Sequence, residues 1–205
     1  MTPPRLAGLV LAAGASRRFG SPKQLALIDG VPMLQRVLET AQAALTANGQ
    51  RHRLAVVLGA HADTIYDGVI EKLSIPPPQI VFCDDWDRGI AHSLRSGINA
   101  LQHSDADAAL VMLGDTPFVT EHDLKNLIDA WQHSSTIPAA TSYEGITGAP
   151  CILPRTVWPE ILLLRGDRGA NKLLEKWRSN GRALNVIHMP NAAHDIDTPT
   201  CGTRH

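Results

Sequence analysis

Apolar residues along this chain fall into short unbroken runs: Leu6–Ala12, Leu54–Leu58, Gln79–Phe82 and Ala108–Leu113. An alternating strand keeps one wet face, whereas an unbroken run suits a strand covered on both faces, as in a largely parallel sheet. Between these runs the apolar positions recur at helical spacing. Over Pro32–Leu45 they are Met33, Val37, Leu38, Ala41 and Leu45, with Gly30 ahead as a breaker. His92–Leu101 and Glu121–Trp131 have the same character. The latter has Thr120 placed as its N-cap and Asp123 in its first turn, where a carboxylate favours the helix dipole. This β-α-β-α alternation over the first 130 residues predicts an α/β fold built on a doubly wound, mostly parallel sheet.

Beyond Pro138 the pattern loosens. Ala139–Tyr143 and Ala149–Leu153 flank Glu144–Gly148, which reads as a hairpin or as a small loop insertion. Helices are expected over Arg155–Leu164 and Gly169–Ser179, and a last strand near Ala183–His188. Pro76-Pro77-Pro78 is a stiff connector with sheet-like segments on both sides, so it divides no domains. The expectation is a single domain over residues 1–205.

The most informative segment follows the first strand: Leu11-Ala12-Ala13-Gly14-Ala15-Ser16-Arg17-Arg18-Phe19-Gly20-Ser21-Pro22-Lys23-Gln24. Glycine and alanine let a backbone approach a ligand closely, and successive amides in such a turn can wrap phosphate oxygens. Arg18 adds a planar multi-donor cation and Lys23 a mobile point charge. Known phosphate loops fit poorly. Gly14 and Gly20 stand six apart with Lys23 three further on, which breaks the Walker spacing, and the dinucleotide fingerprint GxGxxG is missing. A tight strand-to-helix turn carrying surface arginines is the plainer alternative. The ordered combination of Ser16, Arg18, Gly20 and Lys23 argues against it.

Carboxylates complete the chemistry. The run Ala108–Leu113 ends in Gly114-Asp115-Thr116-Pro117, so Asp115 falls at the carboxyl end of a buried strand, where open α/β sheets bind ligands. Magnesium takes a few carboxylates together with water and phosphate oxygens, and Asp115 suits that role. A second acidic pair, Asp195 and Asp197 in His194-Asp195-Ile196-Asp197-Thr198-Pro199, places both carboxylates on one side of an extended segment. Asp197 is the favoured ligand and Asp195 the alternative. No GxSxG elbow is present, so no covalent intermediate is expected.

Bulk properties narrow the partners. A formal net charge of −1 supplies no global basic field for nucleic acid or an anionic membrane, while leaving room for a local phosphate site. Cys83, Cys151 and Cys201 are widely spaced without a zinc pattern, as expected of free thiols in a reducing compartment. The short apolar run near the N-terminus turns glycine-rich and basic, and nothing approaches the ~20 apolar residues of a membrane span. A cytoplasmic protein is expected.

The turn LAAGASRRFGSPKQ resembles the nucleotide-binding signature of the MobA-like NTP transferases, and within them the molybdenum cofactor cytidylyltransferases. The resemblance spans nearly the whole chain. It implies a Rossmann-like nucleotidyltransferase fold whose N-terminal part binds nucleotide and whose C-terminal part binds the acceptor. It also implies transfer of CMP from CTP to the phosphate of molybdopterin cofactor, with Mg2+ and release of pyrophosphate. On this resemblance Arg18, Lys23 and Asp115 are catalytic. Leu11, Ala12, Ala13, Gly14, Ser16, Arg18, Lys23, Ser93 and Asp115 hold the nucleotide, Ser93 through the segment from Trp86 to Gly97 that is similar to WxxGxxxSLxxG. Gly148 and Pro150 match a GxP element, and Asp167 and Arg168 a GDxGA element, on the acceptor side; Asp167 alternatively N-caps the following helix. The C-terminal acidic pair resembles a DxDTP element that closes the metal site. Here it runs into Thr200-Cys201-Gly202-Thr203-Arg204-His205, where the family continues with acidic residues and a helix. The alanine pair Ala12-Ala13 points to CTP, since guanylyl relatives carry LAGG. GTP, or another phosphorylated acceptor, is the nearest alternative. A chaperone that hands nucleotide or cofactor to a molybdoenzyme is the alternative from another class.

Overall fold

The computed structural model describes residues 4–46 and 53–196. In chain order these form strand β1 (Leu6–Leu11), the short strands β2 (Leu27–Ile28) and β3 (Val31–Pro32), and helix α1 (Met33–Thr46). Strand β4 (Leu54–Leu58), helix α2 (Ala62–Gly68), strand β5 (Gln79–Phe82), helix α3 (Ile90–Gln102), strand β6 (Ala108–Leu113) and helix α4 (Glu121–Gln132) follow. Strands β7 (Ala139–Tyr143) and β8 (Ile146–Pro154), helices α5 (Trp158–Ile161) and α6 (Ala170–Ser179), and strand β9 (Asn185–His188) complete the described chain.

Seven strands make one sheet in the order β5-β4-β1-β6-β8-β7-β9, with β2 and β3 as a separate hairpin. Strand β1 pairs in parallel with β4 and β6, β4 with β5, and β7 with β9; only β8 runs antiparallel to its neighbours. The unbroken apolar run has the expected cause. Every residue of β1 is buried, with Leu6 and Val10 in one core and Ala7, Leu9 and Leu11 in the other. Helices α1 and α4 supply the first core and α3, α5 and α6 the second, so the sheet is doubly wound. Among the described residues no helix is long and apolar enough to cross a membrane.

Differences from the sequence reading have local causes. Glu144–Gly148 is no loop insertion: Glu144 and Gly145, at φ +47° and +80°, make a two-residue hairpin turn, and β8 begins at Ile146. Asp29 and Gly30, at φ +51° and +80°, do the same between β2 and β3, so Gly30 is a hairpin residue as well as a breaker. The helix expected over Arg155–Leu164 is a 3₁₀ turn followed by the four residues of α5. Pro159, in the first turn of α5, has no N–H to carry a helix across that point. Helix α2 has an apolar face too short to register as a period; Ile65 is its one buried residue.

Helix α4 begins as expected. The Thr120 hydroxyl accepts from the Asp123 N–H at 3.1 Å, and the Asp123 carboxylate accepts from the Thr120 N–H at 2.9 Å, a capping box. Asn191, past β9, donates to the same carboxylate at 2.8 Å and hangs the C-terminal segment on α4. Burial pushes the Asp123 carboxyl up, but the hydrogen bonds from Asn191 and Thr120 outweigh it and hold the group below its ordinary range.

Candidate active site

From β1 the chain winds outward through β4 to β5, then returns to β6 on the other flank of β1. That reversal opens a crevice at the carboxyl ends of β1 and β6, the place where open α/β sheets take ligands. Parallel register aligns Leu11 with Leu113, and the Gly114 N–H donates to the Leu11 carbonyl at 2.9 Å. The glycine-rich turn after β1 and Asp115 after β6 are therefore neighbours by strand pairing, although about a hundred residues separate them.

A cavity of about 390 Å³ lies over this crevice. Every residue expected on the nucleotide side lines it: Leu11, Ala12, Ala13, Gly14, Ser16, Arg18 and Lys23 from the turn, Ser93 from α3, and Asp115. Arg17, Phe19, Gln24, Trp86 and Ile90 also line it, unforeseen from sequence.

Gln24 explains the shape of the turn. Buried to 3% exposure, its amide donates to the carbonyls of Ala12 at 2.9 Å and Gly14 at 3.1 Å, while its Oε1 accepts from the Ser16 hydroxyl at 3.2 Å. The same hydroxyl accepts from the Lys23 N–H at 3.1 Å, and Ser16 takes the left-handed conformation at φ +52°. One buried amide thus staples both ends of the turn, and Lys23 leaves it in a set direction. The only hint in the sequence is that Gln24 directly follows Lys23.

Lys23 Nζ lies 2.6 Å from Asp115 Oδ2, both side chains mostly buried. The other carboxylate oxygen, Oδ1, is buried without a hydrogen-bond partner among the described residues. A buried carboxylate oxygen left in that state is costly and suits a cation. The residues therefore fit a divalent ion of magnesium type, which needs few protein ligands and keeps its other positions for water and phosphate. Among the described residues no group of three or more His, Cys, Asp or Glu gathers around one point, so an all-protein metal cage is not what they build.

Asp195 comes to the same place by another route. The Ile196 N–H donates to the Asp115 carbonyl at 3.2 Å. Tyr143, half-buried at the end of β7, has its hydroxyl pushed up by burial first, then by Asp195, Cys151 and Asp115. Asp197 lies outside the described residues, as does Cys201. Cys83 and Cys151 are free and buried, and burial raises the Cys151 thiol to about 12.

The acceptor-side residues are placed differently. Gly148 and Pro150 are buried inside β8 and do not line the cavity. A Cβ on Gly148 would lie 2.4 Å from the Asn171 amide oxygen, so glycine here lets α6 close on the sheet. Asp167 and Arg168 are exposed on the turn before α6. That turn is pinned to the start of α3: the Ala91 N–H donates to the Gly166 carbonyl at 3.0 Å, and a Cβ on Gly89 would lie 2.4 Å from the Gly166 carbonyl carbon. It reaches the cavity only through Ile90, which packs on Gly169. Asp167 does not N-cap α6; the cap position is Gly169, without a side-chain bond. His92 faces Asp85, its Nδ1 at 3.7 Å, away from the cavity lining. Trp131, Trp158 and Trp177 are buried anchors, whereas half-buried Trp86 forms part of the cavity wall.

Comparison with known proteins agrees with this geometry. The profile of the MobA-like NTP transferase domain matches residues 8–182. The purine catabolism protein PucB of Bacillus subtilis (strain 168) is 30% identical over 203 residues, covering 97% of this chain and 95% of that protein. The crystal structure of Rv0371c from Mycobacterium tuberculosis H37Rv superposes with a TM-score of 0.78 at 29% identity, over 97% of this chain and 95% of that one. A structure of Rv0371c in complex with manganese aligns with a TM-score of 0.70 at 25% identity, over 91% and 89%.

Proposed function

The chain belongs to the MobA-like NTP transferase family, and from that premise we propose that it moves CMP from CTP onto the phosphate of molybdopterin cofactor, releasing pyrophosphate, with Mg2+ as its metal. Nucleotidyl transfer is the chemistry of the family; the nucleotide, the acceptor and the metal are our reading. The observation that carries it is one cavity lined by Arg17, Arg18 and Lys23 against Asp115, whose second carboxylate oxygen has no hydrogen-bond partner among the described residues. Three cations and one carboxylate leave a formal charge of +2, suited to a nucleoside triphosphate.

In this reading an oxygen of the acceptor's phosphate attacks the α-phosphorus of CTP, and the bond from that phosphorus to the β-phosphate oxygen breaks. Arg18, Lys23 and the amides of the turn hold the β- and γ-phosphates and offset the charge that gathers on departing pyrophosphate. Asp115, with Asp195 or Asp197, would hold the metal, which supplies Lewis-acid stabilisation and a template for in-line attack. A cation held at Asp115 would compete with Lys23 for the carboxylate and would leave that ammonium to phosphate. The chain's further contribution is positioning, since no covalent nucleophile is needed. The acceptor's phosphate is assigned to Arg168, with Asp167 beside it on the same exposed turn; Gly148 and Pro150, outside the cavity lining, support the C-terminal part without touching the cavity.

Choice of base rests on buried Ala13 in the cavity wall, which leaves less room than the glycine at this position in the LAGG of guanylyl relatives. Release of pyrophosphate measured for four NTPs against a panel of phosphorylated acceptors, with and without Mg2+, tests the proposal. CTP with molybdopterin cofactor is expected to be the fastest pair. Preference for GTP, or for a sugar or polyol phosphate, would overturn the specificity while keeping the reaction. If Asp115→Asn binds CTP yet does not turn over, the enzyme reading stands; undiminished function of that variant in the cell would favour a carrier.

A further inference from the structure

We propose that Ile196 is a positioning residue, a hydrophobic latch that holds Asp195 beside Asp115 and ties that carboxylate to the phosphate turn through Phe19. This rests on the reading of Asp115 as a metal ligand, and takes Asp195, the alternative to Asp197, as its partner. Asp195 is exposed, so its carboxylate is not placed by burial of its own side chain. Its neighbour Ile196 is 2% exposed and sits with Ile28 and Met33 in a small cluster separate from the two large cores. Phe19, Ala26 and Phe118 pack against that cluster. Phe19 belongs to the phosphate turn, Phe118 follows Asp115 by three residues, and Ile28 and Met33 come from β2 and α1. A side chain with no polar chemistry thus stands where the segments that form the site meet.

The backbone agrees. The Ile196 N–H bonds to the Asp115 carbonyl at 3.2 Å, and the His194 ring meets Phe118 edge-on at 6.2 Å between centroids. Ile196 is buried while Asp195 beside it is exposed, so anchoring the isoleucine fixes the backbone from which the carboxylate projects. Ordering a chain segment costs conformational entropy, and here one buried isoleucine offsets it. Because Phe19 packs on the same cluster, displacement of the phosphate turn and displacement of Asp195 are mechanically linked.

Binding of Mn2+ alone, read from the electron paramagnetic resonance signal of free ion without nucleotide, tests this. Loss of the anchoring atoms in Ile196→Ala is expected to weaken Mn2+ binding about tenfold, and Ile196→Leu to stay within about twofold of the parent. Phe19→Ala, which removes no ligand, is expected to weaken it about threefold, and the double variant less than the product of the two. Should Ile196→Ala lower the overall unfolding midpoint too far to measure, Ile196→Val serves, with an expected loss of about threefold. Unchanged Mn2+ affinity in a folded Ile196 variant, while Asp115→Asn abolishes binding, would overturn the latch and leave the metal reading intact. Unchanged affinity in Asp115→Asn would overturn the metal reading and the latch with it.

Discussion

The two halves of the crevice are built by different means. On the nucleotide side, backbone pairing places the chemistry: β1 and β6 run in register, the turn is stapled by buried Gln24, and Lys23 closes onto Asp115 at 2.6 Å. On the side proposed for the acceptor the chemistry rides on an exposed turn that packs against Ile90 of the cavity wall. Pre-set geometry is what electrostatic catalysis requires, whereas an acceptor must enter and a product must leave. In the proposed reaction this division gives rigidity to the side that takes the triphosphate and exposure to the side that takes the acceptor.

The largest expected effect would break the comparison at its centre. Asp115→Asn keeps the shape but loses the anion, and steady-state kinetics should show kcat lower by about a thousandfold, with CTP binding by calorimetry retained. Lys23→Ala comes next. It leaves Asp115 without its partner and removes a phosphate cation, so kcat/KM for CTP should fall about a hundredfold. Gln24→Ala asks whether the staple matters apart from the charges. The Ala12 and Gly14 carbonyls lose their donor, so thermal unfolding should show a loss of about 2 kcal/mol and CTP KM should rise. Had both readings stayed at the parent values, the nucleotide side would be no more constrained than the acceptor side.

Arg168→Ala probes the exposed half. An arginine meeting the acceptor's phosphate at the rim should change acceptor KM by about tenfold with CTP KM unmoved. Equal changes in both constants would erase the proposed division. The smallest effect concerns the tie between the halves. Asp123 caps α4 and receives Asn191, and its carboxyl lies below the ordinary range when folded. Its contribution to stability is complete above the ordinary carboxylate pKa, about 4, and is lost as pH falls through the lower folded value. Chemical denaturation of Asp123→Asn should show a deficit of about 1 kcal/mol at pH 7 that shrinks toward zero in acid. A deficit independent of pH would sink the role of the charge.

Strand and helix placement was legible in the sequence because buried parallel strands must be apolar on both faces and surface helices on one. The runs at Leu6, Leu54 and Ala108 and the Thr120 cap are found within a residue or so of expectation. Short elements escaped. Helix α2 buries too few residues to show a period, and the Asp29-Gly30 turn was legible as a hairpin signal but read only as a break. Pro159 likewise announced the early limit of α5.

The site divides in the same way. The residue order of the turn, with Ser16, Arg18, Gly20 and Lys23 after a buried strand, determines that a phosphate can be held, because close backbone approach and cationic side chains are local properties. Asp115 at a strand end is local as well. Only the tertiary structure decided that Lys23 meets Asp115, that Gln24 turns inward to hold the loop, that Trp86 and Ile90 wall the cavity, and that Asp167 caps no helix. These depend on which strands became neighbours and which side chain filled the space between them, choices made by packing among residues far apart in the chain. Periodicity and local spacing carry no record of them.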